Sequence, residues 1–334
     1  MKKVLSTIFV AVGLMFGAGF ASGKEIVVYF SRFGKISFLS IALASFLFCL
    51  TIYFFLVYGE KILKMFSKSK VFPFLLSFVS LAFSSSMFAG LRNLLSYSSI
   101  VLQILLEIFI VFLCLFVAKS GINFLGKLNF TLMPILIILF VIVLFSGLGH
   151  GDFIDFSSAC GLFYAPLYVS LNIVLGMTVL GVLGKELNKK QSFFVGLFSS
   201  LVLFFLLCLC NFVLCLHVDL FEQEMPILSL VEKNKTLFLF EFFVIFVGCL
   251  TTLLSLCFTS KTILEQIVKN ENLGVYLAVF VPFLLSFVGF SSIISFFYPL
   301  CAMIGVFVLL ISIFSFKKTD KKIHSISKDT QNRR

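Results

Sequence analysis

The chain has 334 residues, 60% hydrophobic and 12% charged, with a mean hydropathy of +1.16 and a formal net charge of +11. A soluble domain of this size cannot hide so much apolar surface, so many of its helices must be apolar on every side. Apolar runs of about 18–25 residues exclude the short alternating strands of an outer-membrane barrel and define an all-α polytopic membrane protein.

Ten spans are predicted in chain order, over 4–30, 36–58, 71–91, 99–118, 125–146, 159–184, 192–216, 236–260, 273–289 and 291–315. They form one transmembrane domain over 1–315, followed by a basic tail at 316–334 that reads as unstructured. The longest loop runs over 217–235. The start, Lys2-Lys3 with an apolar stretch and Ala21-Ser22-Gly23, imitates a signal peptide. Glycines upstream of that supposed cut favour a retained first span.

With the N-terminus in the cytoplasm, twenty Lys and Arg residues fall on the inner side and six on the outer side. The inner set is Lys2, Lys3, Lys61, Lys64, Lys68, Lys70, Lys119, Lys127, Lys185, Lys189, Lys190, Lys261, Lys269 and seven tail residues. The outer set is Lys24, Arg32, Lys35, Arg92, Lys233 and Lys235. This asymmetry predicts a multi-pass protein of the cytoplasmic membrane with both termini inside. The positive charge then faces the anionic inner leaflet, and a nucleic-acid partner is not expected.

Most of the nine cysteines fall inside apolar runs and read as small buried hydrophobes. The three histidines lie in loops or the tail, and neither HExxH nor GxSxG occurs. An enzyme is therefore not expected, no cofactor is expected, and the absence of GxxxxGK[ST] leaves no nucleotide motif.

The strongest local signal is Gly17-Ala18-Gly19-Phe20-Ala21-Ser22-Gly23 inside the first span. Glycine in a helix interior costs roughly 1 kcal/mol against alanine. Non-helical backbone at membrane depth survives only inside protein or beside water. A broken helix is therefore expected here, with bare amides and carbonyls available to a solute and an ion. The free amides near Gly19–Gly23 suit a carboxylate or other anionic group. In span six, Pro166, Ser170, Asn172 and Gly176 suggest a second interruption within Tyr168–Gly176, with Ser170 about as far beyond Asp155 as the first break lies beyond Lys2.

The stretch from Gly17 through Gly23 to Glu25, with Tyr29-Phe30 behind it, resembles the GAGFASGxE core of the YkvI-like membrane proteins. Tyr168-Val169-Ser170-Leu171-Asn172 is similar to that family's YVSYN-like string, with Leu171 in place of an aromatic residue. Met87-Phe88-Ala89-Gly90 is a third match. The resemblance implies the amino acid–polyamine–organocation (APC) superfamily and its LeuT-like fold. It further implies two inverted repeats of five helices, at about 1–146 and 155–315, with helices one and six broken, and it makes loop 217–235 an external lid.

On this reading the substrate contacts are Gly17, Gly19, Phe20, Ser22, Gly23, Ser170 and Asn172. Ala18, Glu25, Thr251, Thr252 and Ser255 are candidates for coupling Na+ or H+, the last three by position on span eight. Glu107 shares a helix face with Gln103 and reads as structural, its partner not visible in the sequence. Glu241 reads as close to outer water and receives no role. Ser77, Ser80 and Ser84 form a stripe suited to close helix packing. The expected function is ion-coupled secondary transport of a small amino-acid-like or amine solute by alternating access. The alternative is a receptor on the same fold that binds a solute without moving it.

Overall fold

The computed structural model describes residues 2–66, 71–120, 123–149 and 151–331. Lys68, Lys70, Arg333 and Arg334 of the charge count, and His150, lie outside the described residues. The first apolar segment is divided into α1 (Lys2–Gly13), α2 (Ala18–Ala21) and α3 (Lys24–Tyr29). The long helices that follow are α4 (Ser37–Phe66), α5 (Val71–Leu95), α6 (Ile100–Ser120), α7 (Asn123–Ser146), α8 (Gly161–Leu183) and α9 (Lys189–Leu216). Loop 217–235 contains a 3-10 turn, Val218–Glu222, and α10 (Pro226–Leu230). The chain ends with α11 (Lys235–Val268), α12 (Glu271–Leu285), α13 (Phe290–Ser292), a π-helical turn over Ile293–Phe297 and α14 (Tyr298–Gln331).

Eight helices among the described residues are long and apolar enough to cross a membrane, and two shorter apolar helices lie at Lys3–Gly13 and Thr131–Ser146. Those two fall where the first and fifth spans are expected. No strand occurs among the described residues; the backbone of Gly34 bridges that of Ser157 in isolation. The chain is an all-helical, multi-pass membrane protein. Helix α6 is its most lipid-facing element: only 11% of its apolar window is buried, and Ile104, Leu105, Ile108, Phe109, Phe112 and Phe116 point outward.

The broken first segment occupies the centre. Helix α1 packs on α7 and α9, α2 on α5 and α11, and α3 on α8 and α9. Every residue from Met15 to Ser31 is buried. Around this axis α4 crosses α8 and α9, α5 lies along α11, and α14 lies along α8. Small residues set the closest crossing: a Cβ added to Gly59 of α4 would sit 2.6 Å from the Cα of Gly181 in α8.

Two features differ from expectation. Helix α8 winds without interruption from Gly161 to Leu183, so the break expected in the sixth span does not form. Pro166 sits in the second turn, where one bond is lost, and the polar residues beyond it are satisfied in place. Ser170 Oγ bonds the carbonyls of Leu167 and Ala302, both at 2.8 Å, and Asn172 Nδ2 donates to the Tyr168 carbonyl at 3.0 Å. Gly176 receives the Leu14 side chain, 3.3 Å from where its Cβ would stand. The residues that look like breakers serve packing instead. The second difference is α14, which continues through the basic segment to Gln331 where the sequence suggests an unstructured tail.

Candidate functional site

The interruption begins earlier than its glycines. Helix α1 ends at Gly13, and Leu14 to Gly17 leave the helical path before α2 starts. Met15 and Phe16 both turn their amides to the Val12 carbonyl. The carbonyls of Leu14, Met15 and Phe16 then have no hydrogen-bond partner among the described residues, nor do the amides of Gly17, Gly19 and Phe20. In an apolar interior each unpaired group costs free energy, which makes this cluster the candidate site. The Ala18 amide faces Met87 Sδ at 3.5 Å, a weak acceptor. The Phe16 carbonyl points toward α11, 3.7 Å from where a Cβ of Gly248 would stand.

A second discontinuity falls at Ser22–Gly23. Gly23 has φ of +81°, a left-handed conformation that turns the chain between α2 and α3. Ser22 Oγ lies 3.3 Å from the Gly19 carbonyl and 3.3 Å from the Lys24 amide, so it ties the turn locally. Its own carbonyl accepts from the Ile227 amide of α10 at 3.0 Å.

Glu25 is the buried acid of this region. It is 2% exposed, and one of its carboxyl oxygens, Oε2, has no partner among the described residues. Its side chain folds back onto Gly19 so closely that a methyl group there would overlap the carboxyl. The adjacent Lys24 does not neutralise it: Lys24 Nζ turns away to the carbonyls of Phe221 and Gln223, at 3.0 and 2.8 Å. Tyr29 lies one turn on from Glu25 along the same face of α3, and Tyr29, Tyr168 and Tyr298 are all fully buried. The Tyr29 and Tyr168 rings sit 5.4 Å apart, and neither hydroxyl has a partner among the described residues. Tyr298 bonds Ser86 of α5.

The other expected residues divide. Tyr168, Asn172 and Gly176 recur every four residues on α8 and share the face turned to the broken segment, since Tyr168 meets Phe30 at 5.0 Å and Gly176 meets Leu14. Ser170 falls on another face and fixes α8 to α14. Gly17 and Ala18 pack against Met87 and Gly90, so the Met87-Phe88-Ala89-Gly90 stretch supplies the wall of α5 at the break. Phe20 is fully buried in an aromatic cluster with Phe16 and Phe140, at centroid distances of 5.2 and 6.0 Å. Thr251 Oγ1 and Ser255 Oγ return to the carbonyls of Val247 and Thr251, each at 2.9 Å, and Thr252 is half-buried one residue on.

Sequence reasoning missed several participants. Tyr298 and Ser86 carried no signal, because a lone Tyr or Ser in an apolar run does not announce its partner. Glu241 of α11 is fully buried with both oxygens unpartnered among the described residues, contrary to the expectation that it reaches water. Glu107 acquires its partner from Arg92: Nε and Nη2 of the guanidinium bond the two carboxyl oxygens at 3.0 and 2.9 Å. Gln103 adds a bond at 3.0 Å, and the guanidinium lies 3.5 Å from the Phe287 ring centroid. This is a structural clamp between the C-terminal end of α5 and α6.

Loop 217–235 closes one end of the broken segment. Besides the Ile227–Ser22 and Lys24 contacts, Glu224 Oε2 accepts from the Ser291 amide of α13 at 2.9 Å. At the opposite end of the bundle, Leu63, Phe66, Phe72, Leu76, Thr259 and Thr262 line part of a cavity of about 580 Å³ between α4, α5, α8 and α11. Beyond the helices, Lys35 pairs with Asp155 at 2.6 Å and holds that carboxyl below the ordinary aspartate range.

These features define a multi-pass helical membrane protein with a buried acid at an internal helix break. No family model matches the chain. The chain is 24% identical over 324 residues to the uncharacterized membrane protein YkvI of Bacillus subtilis (strain 168), covering 89% of this chain and 92% of that one. This similarity extends across nearly the whole length and supports a YkvI-like membrane protein.

Proposed function

We propose that this chain is an ion-coupled secondary transporter of a small amino-acid-like or amine solute, working by alternating access in the cytoplasmic membrane with both termini inside. The observation that carries the reading is the central, protein-enclosed break at Leu14–Gly17 with Glu25 folded over Gly19. Unpaired backbone and an unpaired acid are both costly in a bilayer core, and together they are the usual equipment of a solute and ion site. Ten crossings follow when the two shorter apolar helices are counted with the eight long ones. On this reading the chain keeps a LeuT-like repeat, about 1–146 and 155–315, with the first segment interrupted and α8 in the sixth position wound throughout. Loop 217–235 acts as the outer lid, and its contacts to Ser22, Lys24 and Ser291 correspond to a closed outer side. The apolar cavity at the other end lies beside the Lys61 and Lys64 end of α4, which the charge count assigns to the cytoplasm. That pairing corresponds to a conformation facing inward.

Sodium or protons supply the coupling. The Leu14–Phe16 carbonyls with Thr251 and Thr252 are the cation candidates, and Glu25 is the proton candidate. The test is purified protein in liposomes with sodium and proton gradients imposed separately. Gradient-driven uptake of amino acids or amines is expected; no uptake across a broad panel with either gradient contradicts the proposal.

A further inference from the structure

The place beside the break is already filled by an acid of the chain itself. The amides of Gly19 and Phe20 have no partner among the described residues, and the Glu25 carboxyl packs against Gly19 beside them without a hydrogen bond to either. A solute carboxylate entering the same place would meet the Glu25 carboxyl already there, a clash of shape and, when both are ionised, of charge. Glu25 has no basic partner among the described residues: Lys24 is committed to the carbonyls of Phe221 and Gln223, and the exposed Arg32 stacks at 4.9 Å on the rings of Phe33 and Tyr164. A cationic group would let this carboxyl carry its charge. Tyr29 lies one turn on from Glu25 along the same face of α3, its ring is 5.4 Å from that of Tyr168, and neither hydroxyl has a partner among the described residues. Aromatic rings near a carboxylate favour a positively charged nitrogen.

Resting on the transport reading above, we propose that the solute is an organic amine without a carboxylate, its ammonium group held by Glu25 within the tyrosine cluster. The test uses matched pairs that differ only by a carboxylate: n-butylamine against L-norvaline, and phenethylamine against L-phenylalanine. Binding to the full-length protein in detergent is measured by ligand-dependent melting, and uptake is followed in parallel in liposomes. Each amine is expected to bind at least tenfold more tightly than its amino acid, and Glu25→Gln should erase that preference. Equal or tighter binding of the amino acids, a preference that survives Glu25→Gln in folded protein, or no binding by any probe overturns the proposal. The wild-type comparison stands even if Glu25→Gln fails to fold. Gradient-driven amino-acid uptake without an amine preference would sink this inference and leave transport standing. Amine binding without flux would do the reverse.

Discussion

The Glu25 carboxyl rests on the backbone of Gly19, and this contact joins the two discontinuities of the first segment. It also makes the glycine obligatory for a steric reason. Gly19→Ala inserts a methyl group into the carboxyl and should destabilise the protein by about 1–3 kcal/mol, as overpacking does. The double variant Gly19→Ala/Glu25→Ala should recover most of that loss. Melting curves in detergent decide it; additive losses in the double variant would show that the two residues do not touch.

Gly23 is constrained differently. At φ of +81° a side chain costs about 1–2 kcal/mol, and a Cβ would stand 2.8 Å from Ile227 Cγ1 of α10. Gly23→Leu should insert into the membrane normally yet lose uptake, because α10 can no longer seat on the break. Uptake at wild-type levels in that variant would remove the Gly23–Ile227 contact from the mechanism.

The Arg92–Glu107 pair should matter for stability and not for the solute. Both side chains are largely buried, at 19% and 17% exposure. Glu107→Ala leaves the guanidinium unpaired and should cost about 3–5 kcal/mol, while Arg92→Leu/Glu107→Leu should regain much of it. A Glu107→Ala protein with unchanged melting and abolished uptake would instead place this acid in the transport cycle.

Ser170 and Asn172 are separated by the winding of α8. Asn172→Ala should weaken solute affinity several-fold, since Asn172 shares the face of Tyr168 and Gly176. Ser170→Ala should leave affinity alone and lower stability by about 1 kcal/mol, the worth of its bond to Ala302. Titration of bound solute together with melting separates the two; a reversed pattern contradicts the assignment.

The sequence disclosed the membrane class and the site of the first break, because glycines and hydropathy act locally. It did not disclose where the break begins: Leu14, Met15 and Phe16 are ordinary apolar residues, freed only because the chain must turn between α5, α8 and α11. In α8 the same local logic misled. Pro166 and Gly176 weaken a helix in isolation, but Ala302 and Leu14 pack against this one and hold it wound. Glu241 shows the same limit, since burial depends on which helices converge around it. The partner of Glu107 lies across the turn between α5 and α6, beyond any helical spacing rule.

The most direct test of the central claim is a cryo-EM map of the protein in a lipid nanodisc, resolved to side chains over residues 4–30. The account expects the helix to stop at Gly13, leave Leu14–Gly17 unwound, and resume with the Glu25 carboxyl over Gly19. One continuous rod from Val4 to Tyr29, with Glu25 turned away from Gly19, would contradict it.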